Sequence, residues 1–398
     1  MKKINILGVN ITDLNKKEVV KQIEKSAEGK AKSLFVVTPN PEIILEAEKD
    51  GEFLFILNQA DLAIPDGVGL KFASWLTGHN LARITGADLT EEILKIAERK
   101  GLRLGIIKPP RALSENKEIQ KAVNRKFPEL NFLISECSSE EVDNFQDQKM
   151  FDFEPEIILS TLGAPFQEKF IFHNFKRFSK IKLGIGVGGS LDFLTGKAPR
   201  APKTLRILGL EWTWRLAKQP RRWKRIIKAT LVFPWKFLKW RFLLPFFYRD
   251  NLICLLYKKK NDNYKVLVVE RREGSGKWQI PQGGKDGEDL VTAGSRELRE
   301  ELNCHSFIPI ASFKKIHKYR FPRSYPRPSK HGGYKGQKQD LFIAEFQGKD
   351  PDIKINFWEH KNWQWVDYKD LVNVVDPNRR EAMKKIIQIF KKNVINKN

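Results

Sequence analysis

Along residues 1–200, short apolar runs alternate with stretches whose apolar positions recur every three or four residues. Ser33–Thr38, Leu102–Ile107, Ile157–Ser160 and Ile181–Gly186 read as strands, and Glu42–Lys49, Glu91–Lys100 and Lys117–Lys126 as amphipathic helices. Strands alternating with helices predict a Rossmann-like, mainly parallel α/β sheet. Residues 201–248 change character: they look helical, basic and tryptophan-rich, with Pro220, Pro234 and Pro245 as expected breaks. A third pattern starts at Asn251. Asn251–Tyr257 and Tyr264–Arg271 read as strands joined by a turn through KKKNDN. A Gly/Pro-rich loop follows, then a helix from Leu290 to Leu302, strands at Asp340–Phe346 and Trp363–Val366, and a last helix over Arg379–Lys391. This is an α+β layout with its own core. The expected organisation is an α/β core at 1–200, a basic aromatic helical appendage or linker at 201–249, and a second domain at 250–398.

Composition sharpens this picture at one place. A length of 398 residues suits about two domains, and 41% hydrophobic residues exclude wholesale disorder. The formal net charge is +24, and the stretch from Lys197 to Arg249 supplies +14 of it, with fifteen Lys/Arg against Glu211 alone. Trp212, Trp214, Trp223, Trp235 and Trp240 are interleaved with these cations. Such a belt calls for polyanionic partners: anionic lipid, polyphosphate or nucleic acid. The three cysteines are far apart, which argues against a disulfide framework or a zinc site and suits a reducing cytosol. No apolar run reaches the ~18 residues of a spanning helix, and MKKINILGVNITD lacks a signal-peptide core. The expectation is a cytoplasmic protein that crosses no membrane.

The densest chemical signal is GGKDGEDLVTAGSRELREELN, Gly283 to Asn303. Glu297, Glu300 and Glu301 stand at i, i+3 and i+4 on the predicted helix, so three carboxylates share a face. Like charges so placed cost stability, and a hard divalent cation such as Mg²⁺ would relieve the repulsion and bind substrate phosphates. A solvated acidic face is the plain alternative; the Gly-rich loop at fixed spacing and Arg296 beside the first carboxylate weigh against it. The segment resembles the Nudix box, G-x5-E-x7-R-E-U-x-E-E-x-G-U with U aliphatic. From Glu288 onward it fits. Counted from Gly283 the loop is one residue short, and Asn303 replaces the last glycine, which a left-handed helix end accepts. The resemblance implies that Glu297, Glu300 and Glu301 hold Mg²⁺ or Mn²⁺, that Gly283, Gly284, Glu288 and Arg296 organise loop and helix, and that water attacks a substituted nucleoside diphosphate. WQIPQGG, GQKQDLF at Gly336–Phe342 and WEHKNWQWVDY at Trp358–Tyr368 look like the branch containing bacterial RNA pyrophosphohydrolases and dinucleoside polyphosphate hydrolases. By that resemblance Glu359 adds a metal ligand, and Gln337 and Lys338 meet substrate. The insert around them, with Arg320, Arg323, Arg327, Lys330 and Lys338, offers phosphate contacts or is a solvated loop.

In the first 200 residues the chemistry is spread over short segments. VVTPNPEI places Thr38 and Asn40 after a strand, AIPDGVGL places Asp66 in a turn before a helix, and RITGADL brings Arg83 and Asp88. GAPFQEKF offers Gln167 and Glu168, and IGVGGSLDFLTGKAPRAPK supplies a glycine loop. Gly184, Gly186 and Gly189 spell G-x-G-x-x-G too late in the domain for a dinucleotide fingerprint. A loop offering N–H groups of Gly188 and Gly189 to a diphosphate, or tight strand–helix packing, explains it instead. Together and in order, over about residues 3–230, these segments resemble the WecG/TagA/CpsF glycosyltransferases. The resemblance implies transfer of an N-acetylmannosamine-type sugar from a UDP donor to undecaprenyl-diphosphate-linked N-acetylglucosamine, with inversion and no obligatory metal. That chemistry needs a base for the acceptor hydroxyl and cations or amides for the departing UDP. Asp66 is the expected base, with a turn-forming Asp before Gly67 as the alternative. Thr38, Asn40, Arg83 and Gln167 are carried over as site residues, Arg83 being equally suited to a surface ion pair. Phe166 and Phe170 depart from the pattern, which has a basic residue and Trp there.

The resemblance also makes the basic tail an appendage that brings the enzyme to the membrane, with Arg215, Arg221, Arg222 and Arg225 available to a lipid diphosphate or UDP. The alternation of Trp/Phe with Lys/Arg suits an interfacial helix on an anionic membrane surface, or a packed helix with a solvated basic face. The combined expectation is a bifunctional enzyme, peripheral on the inner face of the cell membrane, with a nucleotide or RNA 5′ end at the second site. An oligomer is compatible with it. The alternative is a transferase whose second domain only binds nucleotide or RNA and regulates.

Overall fold

The computed structural model describes residues 1–202, 204–205, 210–218, 220, 223–260, 263–272, 276–321 and 333–396, without the side chain of Arg215. Of the residues singled out above, Arg221, Arg222, Arg323, Arg327 and Lys330, and Asn261 and Asp262 of the KKKNDN turn, lie outside the described residues, as does the Arg215 side chain. The chain divides into two compact units, Met1–Trp240 and a second formed by Arg241–Arg327 with Gly333–Asn398.

The first unit opens with a hairpin of β1 (Lys3–Ile6) and β2 (Val9–Thr12). Leu7 and Gly8 turn it with φ of 50° and 90°, as tight two-residue hairpin turns require. Strands and helices then alternate: α1 (Lys16–Ala27), β3 (Leu34–Val37), α2 (Pro41–Ala47), α3 (Gly51–Gln59), β4 (Leu62–Ala63), α4 (Val68–Trp75) and α5 (Gly86–Arg99). The chain continues through β5 (Leu104–Lys108), α6 (Asn116–Lys126), β6 (Phe132–Glu136), α7 (Gln148–Phe153), β7 (Ile157–Ser160), α8 (Phe166–Asn174), β8 (Leu183–Gly186) and α9 (Ser190–Thr195). The six strands order β4-β3-β8-β7-β5-β6, every pairing parallel. β3, β5, β7 and β8 are buried at every position because helices cover both faces, which is why they read as unbroken apolar runs.

Helix starts are written locally. Asn15 forms a capping box with Glu18, Asn40 caps α2 and Thr85 caps α5. After residue 200, Glu211–Lys218 and Trp223–Ile227 are helical, followed by a π-type segment, Lys228–Val232, then helix Phe233–Leu238 and a second π-type segment, Lys239–Leu243. Pro234 is therefore not a break. Phe233 donates to Lys228 O in the wider π register, and the proline falls in the first turn of the next helix, where its missing N–H costs little. Pro245 does fall at an end, in the 3₁₀ turn Leu244–Phe246.

The second unit is a mixed sheet: β9 (Tyr248–Lys260), β10 (Asn263–Arg271), β11 (Trp278–Gln279), β12 (Gln282–Gly283), β13 (Phe307–Arg320), β14 (Gly336–Phe346) and β15 (His360–Asp367). The order is β11-β10-β9-β14-β13, with β12 on β9 and β15 on β10; β9 and β14 run parallel. Leu252, Cys254 and Leu256 face helix Leu290–Leu302. Ile253, Leu255 and Tyr257 face helix Arg380–Phe390, the alternation expected of a strand buried on both faces. β13 went unread in the sequence for a physical reason. It is an edge strand with mostly exposed positions, and its register shifts twice, at Pro309/Ala311 and between Phe313 and His317, where Lys315 takes φ 56°.

Candidate functional site

In the first unit a cavity of about 740 Å³ opens beyond the C-terminal ends of β3, β7 and β8, the place where open α/β sheets build sites. Thr38 follows β3 and donates from Oγ1 to Gly186 O at 3.1 Å, tying that strand end to the glycine loop. Asn40 accepts the Ile43 N–H at 2.9 Å, so its side-chain oxygen caps α2. The Asp66 N–H donates to Pro39 O at 2.8 Å, and Asp66 Oδ2 accepts the Gly86 N–H at 3.3 Å. Gly86 begins α5, so the carboxylate stands at a helix N-terminus. A Cβ placed on Gly86 would lie 3.7 Å from Ser190 Oγ, 3.8 Å from Asp66 Oδ2 and 3.9 Å from Thr38 Oγ1. Oxygens from the residue after β3, the turn before α4 and the first residue of α9 therefore converge on one point.

The glycine loop is held from below. Gln167, buried, accepts the Gly188 N–H at Oε1 (2.9 Å) and donates from Nε2 to Glu168 Oε1 (2.7 Å). A Cβ at Gly186 would meet the Gln167 amide at 2.7 Å, and one at Gly184 would meet Ile171 at 2.8 Å, so these glycines serve close packing of α8 on β8. Gly188, at φ 51°, makes the turn, and its N–H donates to Gln167 instead of facing a diphosphate as expected, because the buried amide of α8 lies directly beneath it. Glu168 is fully buried, and loss of hydration pushes its pKa up to about 7.

Cations line the same cavity. Arg225 Nε is 2.6 Å from Glu42 Oε2, and Lys236 Nζ is 2.6 Å from Glu48 Oε2. Arg83 is not among the lining residues; its Nη2 is 2.8 Å from Glu211 Oε2, and Glu211 lines the cavity. Phe170 is buried edge-to-face on Phe145, with ring centroids 5.1 Å apart, while Phe166 is exposed.

In the second unit, Asp289 caps helix Leu290–Leu302, accepting from Val291 and Thr292 N–H, and Asn303 ends it in the left-handed region at φ 49°. Arg296 organises the loop before the helix. It donates from Nε to Glu288 Oε2 (2.9 Å), from Nη1 to Glu297 Oε1 (2.8 Å) and Glu300 Oε2 (3.2 Å), and from Nη2 to Gly284 O (2.9 Å). The arginine thus supplies part of the neutralisation that the three carboxylates require. A Cβ at Gly283 would fall 1.8 Å from Glu297 Oε2, so only glycine lets that carboxylate lie against β12. Glu297 and Glu301 are both buried, whereas the Glu300 side chain is 59% exposed. Burial, with Glu301 adding to it, raises the Glu297 pKa to about 8, and burial raises that of Glu301. Two buried carboxylates of like charge, in a hard-oxygen donor set, fit a divalent cation. Glu301 Oε2 is 3.2 Å from His360 Nε2, and Glu359 joins this pair. Gln337 is buried, accepting the Tyr319 hydroxyl at 2.8 Å, and Lys338 beside it is exposed, with Nζ 4.0 Å from Asp250 Oδ1.

The family model described as glycosyl transferase WecG/TagA/CpsF family matches residues 4–245, more than half of the chain. The chain belongs to that family. A NUDIX domain model matches residues 248–389, so this glycosyltransferase carries a NUDIX domain behind it. The N-acetylglucosaminyldiphosphoundecaprenol N-acetyl-beta-D-mannosaminyltransferase of Bacillus subtilis (strain 168) is 33% identical over 195 residues, 48% of this chain and 74% of that protein. The protein of the same name from Staphylococcus aureus (strain MRSA252) is 32% identical over 241 residues, 60% of this chain and 92% of that one. Among solved structures, a C. elegans Ap4A hydrolase binary complex is 18% identical, covering 36% of this chain and 98% of its own, with a TM-score of 0.29.

Within this WecG/TagA/CpsF member, Thr38, Asn40, Asp66, Gln167, Gly188, Gly189 and Arg225 come together around one cavity. In the NUDIX domain, Glu301 and Glu359 meet, while Glu297 and Glu300 share Arg296. Sequence reasoning assigned no site role to Ser190 or His360, and Glu211 stood out only as the lone acid of the basic stretch. His360 left one signal, a titratable residue opening a strand directly after an expected ligand.

Proposed function

We propose that the first unit, with its basic segment from residue 201 to Trp240 as an appendage, transfers an N-acetylmannosamine-type sugar from UDP to a lipid-diphosphate-linked N-acetylglucosamine. The convergence of Asp66, Thr38 and Ser190 on one point at the mouth of the sheet carries this reading. The relatives named for that transfer, at 33% and 32% identity, support it. Asp66 takes the proton of the acceptor hydroxyl as its oxygen bonds to the anomeric carbon. The bond from that carbon to the UDP oxygen breaks, and the electron pair leaves with the diphosphate, which Arg225 and its neighbouring lysines steady. Attack opposite the leaving group inverts the anomeric centre. Arg83 holds Glu211, and through it the start of helix Glu211–Lys218, at the rim. The appendage lies on the anionic inner face of the membrane, where the lipid-linked acceptor resides.

The NUDIX domain, whose sheet opens with β9 at Tyr248, is proposed to hydrolyse a pyrophosphate bond in a nucleoside-diphosphate-linked substrate, either a 5′-triphosphate RNA or a dinucleoside polyphosphate. Glu297, Glu300, Glu301 and Glu359 would hold Mg²⁺ or Mn²⁺, which when bound supplies charge neutralisation for the phosphates. Arg296 keeps Glu297 and Glu300 in place, and Lys338 is exposed for a phosphate. The test uses the full chain with UDP-N-acetylmannosamine plus a short-chain lipid-diphosphate acceptor, and separately with triphosphorylated RNA and dinucleoside tetraphosphate. Glu300→Gln is expected to lower hydrolysis about a hundredfold or more and leave sugar transfer unchanged. Unchanged hydrolysis in that variant would remove the hydrolase reading.

A further inference from the structure

Among the described residues, Glu301, Glu359 and His360 are the group of three donor side chains placed to hold a metal ion, one atom from each lying within 4.8 Å of the others. The carboxylates were expected there. His360 was not, and its position is specific. It opens β15 directly after Glu359, is 2% exposed, and its Nε2 is 3.2 Å from Glu301 Oε2. Bonds of about 2.1 Å at right angles around an octahedral cation put neighbouring donor atoms roughly 3 Å apart. The Glu301–His360 pair thus already has the spacing of two adjacent ligands on one ion. Its surroundings give the site a reason to bind a cation: Glu301 and Glu297 are buried carboxylates, and Arg296 bonds to Glu297 and Glu300. His360 Nδ1 is buried without a hydrogen-bond partner whether Nε2 turns a proton or a lone pair toward Glu301, so Nδ1 does not discriminate between the two.

We infer that His360 Nε2 is a ligand of the cation held by Glu301 and Glu359, which makes the centre a mixed nitrogen–oxygen site selective for a first-row transition ion over Mg²⁺. The inference rests on the metal-dependent hydrolase reading and deepens it. Imidazole is a softer donor than carboxylate, water or carbonyl, and it gains more from Mn²⁺ and the ions beyond it than from Mg²⁺. The carboxylates alone would not discriminate in this way.

The experiment loads the full chain with Mn²⁺ and records its electron spin-echo modulation. The wild type is expected to show the coupling of a directly bonded ¹⁴N. His360→Gln, which keeps a polar group beside Glu301, is expected to lose that coupling. It should also bind Mn²⁺ about tenfold or more weakly in titrations of the free-ion signal, and release it to lower Mg²⁺ concentrations. Far-ultraviolet circular dichroism of the metal-free proteins checks that the variant folds; if it does not, the wild-type spectrum decides alone. Mn²⁺ bound to the wild type without ¹⁴N coupling overturns the assignment of His360 and leaves the hydrolase reading standing. Failure of the wild type to bind Mn²⁺ or Mg²⁺ overturns both.

Discussion

Glu168 shows what burial does to a single carboxyl group. Its side chain is out of contact with water, accepts one hydrogen bond from Gln167, and has a pKa of about 7 against 4.5 when solvated. The folded state therefore holds a proton that the unfolded chain releases once the pH passes 4.5. Stability falls as pH rises through that window, and the loss is complete above the folded pKa. Glu168→Gln retains an oxygen for the Gln167 bond and removes the titration. Its unfolding free energy is expected to match the wild type near pH 4 and to exceed it at pH 8 by up to about 3 kcal/mol. Equal pH dependence of the two proteins in urea titrations would contradict this. Glu297 and Glu301 titrate in the same direction in both proteins, so the difference isolates Glu168. The residues of this site were legible one by one from their place after strands, since Thr38, Asp66 and Gln167 all stand where an α/β sheet builds chemistry. Their partners were not. The Gln167–Gly188 bond spans 21 residues and the Arg83–Glu211 pair spans 128, and no local spacing encodes such pairings.

At the scale of elements, the helical segment after residue 222 carries a one-sided pattern. Trp223, Ile227, Leu231, Trp235 and Leu238 recur at near-constant spacing and are all exposed, Leu231 by 65% and Trp235 by 66%. Phe233, Phe237 and Trp240 are buried on the other side. A steady four-residue step drifts around an ordinary α-helix of 3.6 residues per turn; the π-type segment Lys228–Val232 widens the turn and keeps the stripe together. Lys224, Lys228 and Lys239 accompany it, the composition of a helix lying in an anionic interface. Among the described residues no helix is long and apolar enough to cross a membrane. Trp235→Glu is expected to reduce co-sedimentation with phosphatidylglycerol vesicles roughly tenfold or more, with transfer to a soluble acceptor analogue unchanged. Equal sedimentation would argue for a solvated helix. The sequence showed this segment's helicity and charge, but its continuity through Pro234 depended on a π register that composition does not reveal.

For the molecule as a whole, one apolar cluster on the parallel sheet and two on the faces of the mixed sheet share no residue, so each unit has its own core. The change of pattern near residue 250 was visible because strands alternating with helices give way to two apolar runs joined by a short polar turn, β9 and β10. Such units unfold as separate cooperative transitions when each has its own core. Calorimetry of the full chain is expected to show two transitions, with UDP raising the midpoint of one and a divalent cation raising that of the other. At a ligand concentration of about 100 times Kd the gain is about 2.7 kcal/mol in the unit that binds it. A single transition that both ligands shift equally would mean that the two units fold as one.

Sugar transfer by Asp66→Asn in the otherwise unaltered chain, measured beside UDP affinity, tests the role of Asp66 most directly. The wild type is expected to transfer N-acetylmannosamine to the lipid-diphosphate acceptor, and the variant to lose at least about a hundredfold in rate while binding UDP as before. Transfer at the wild-type rate by Asp66→Asn, or no transfer by the wild type, would contradict that role.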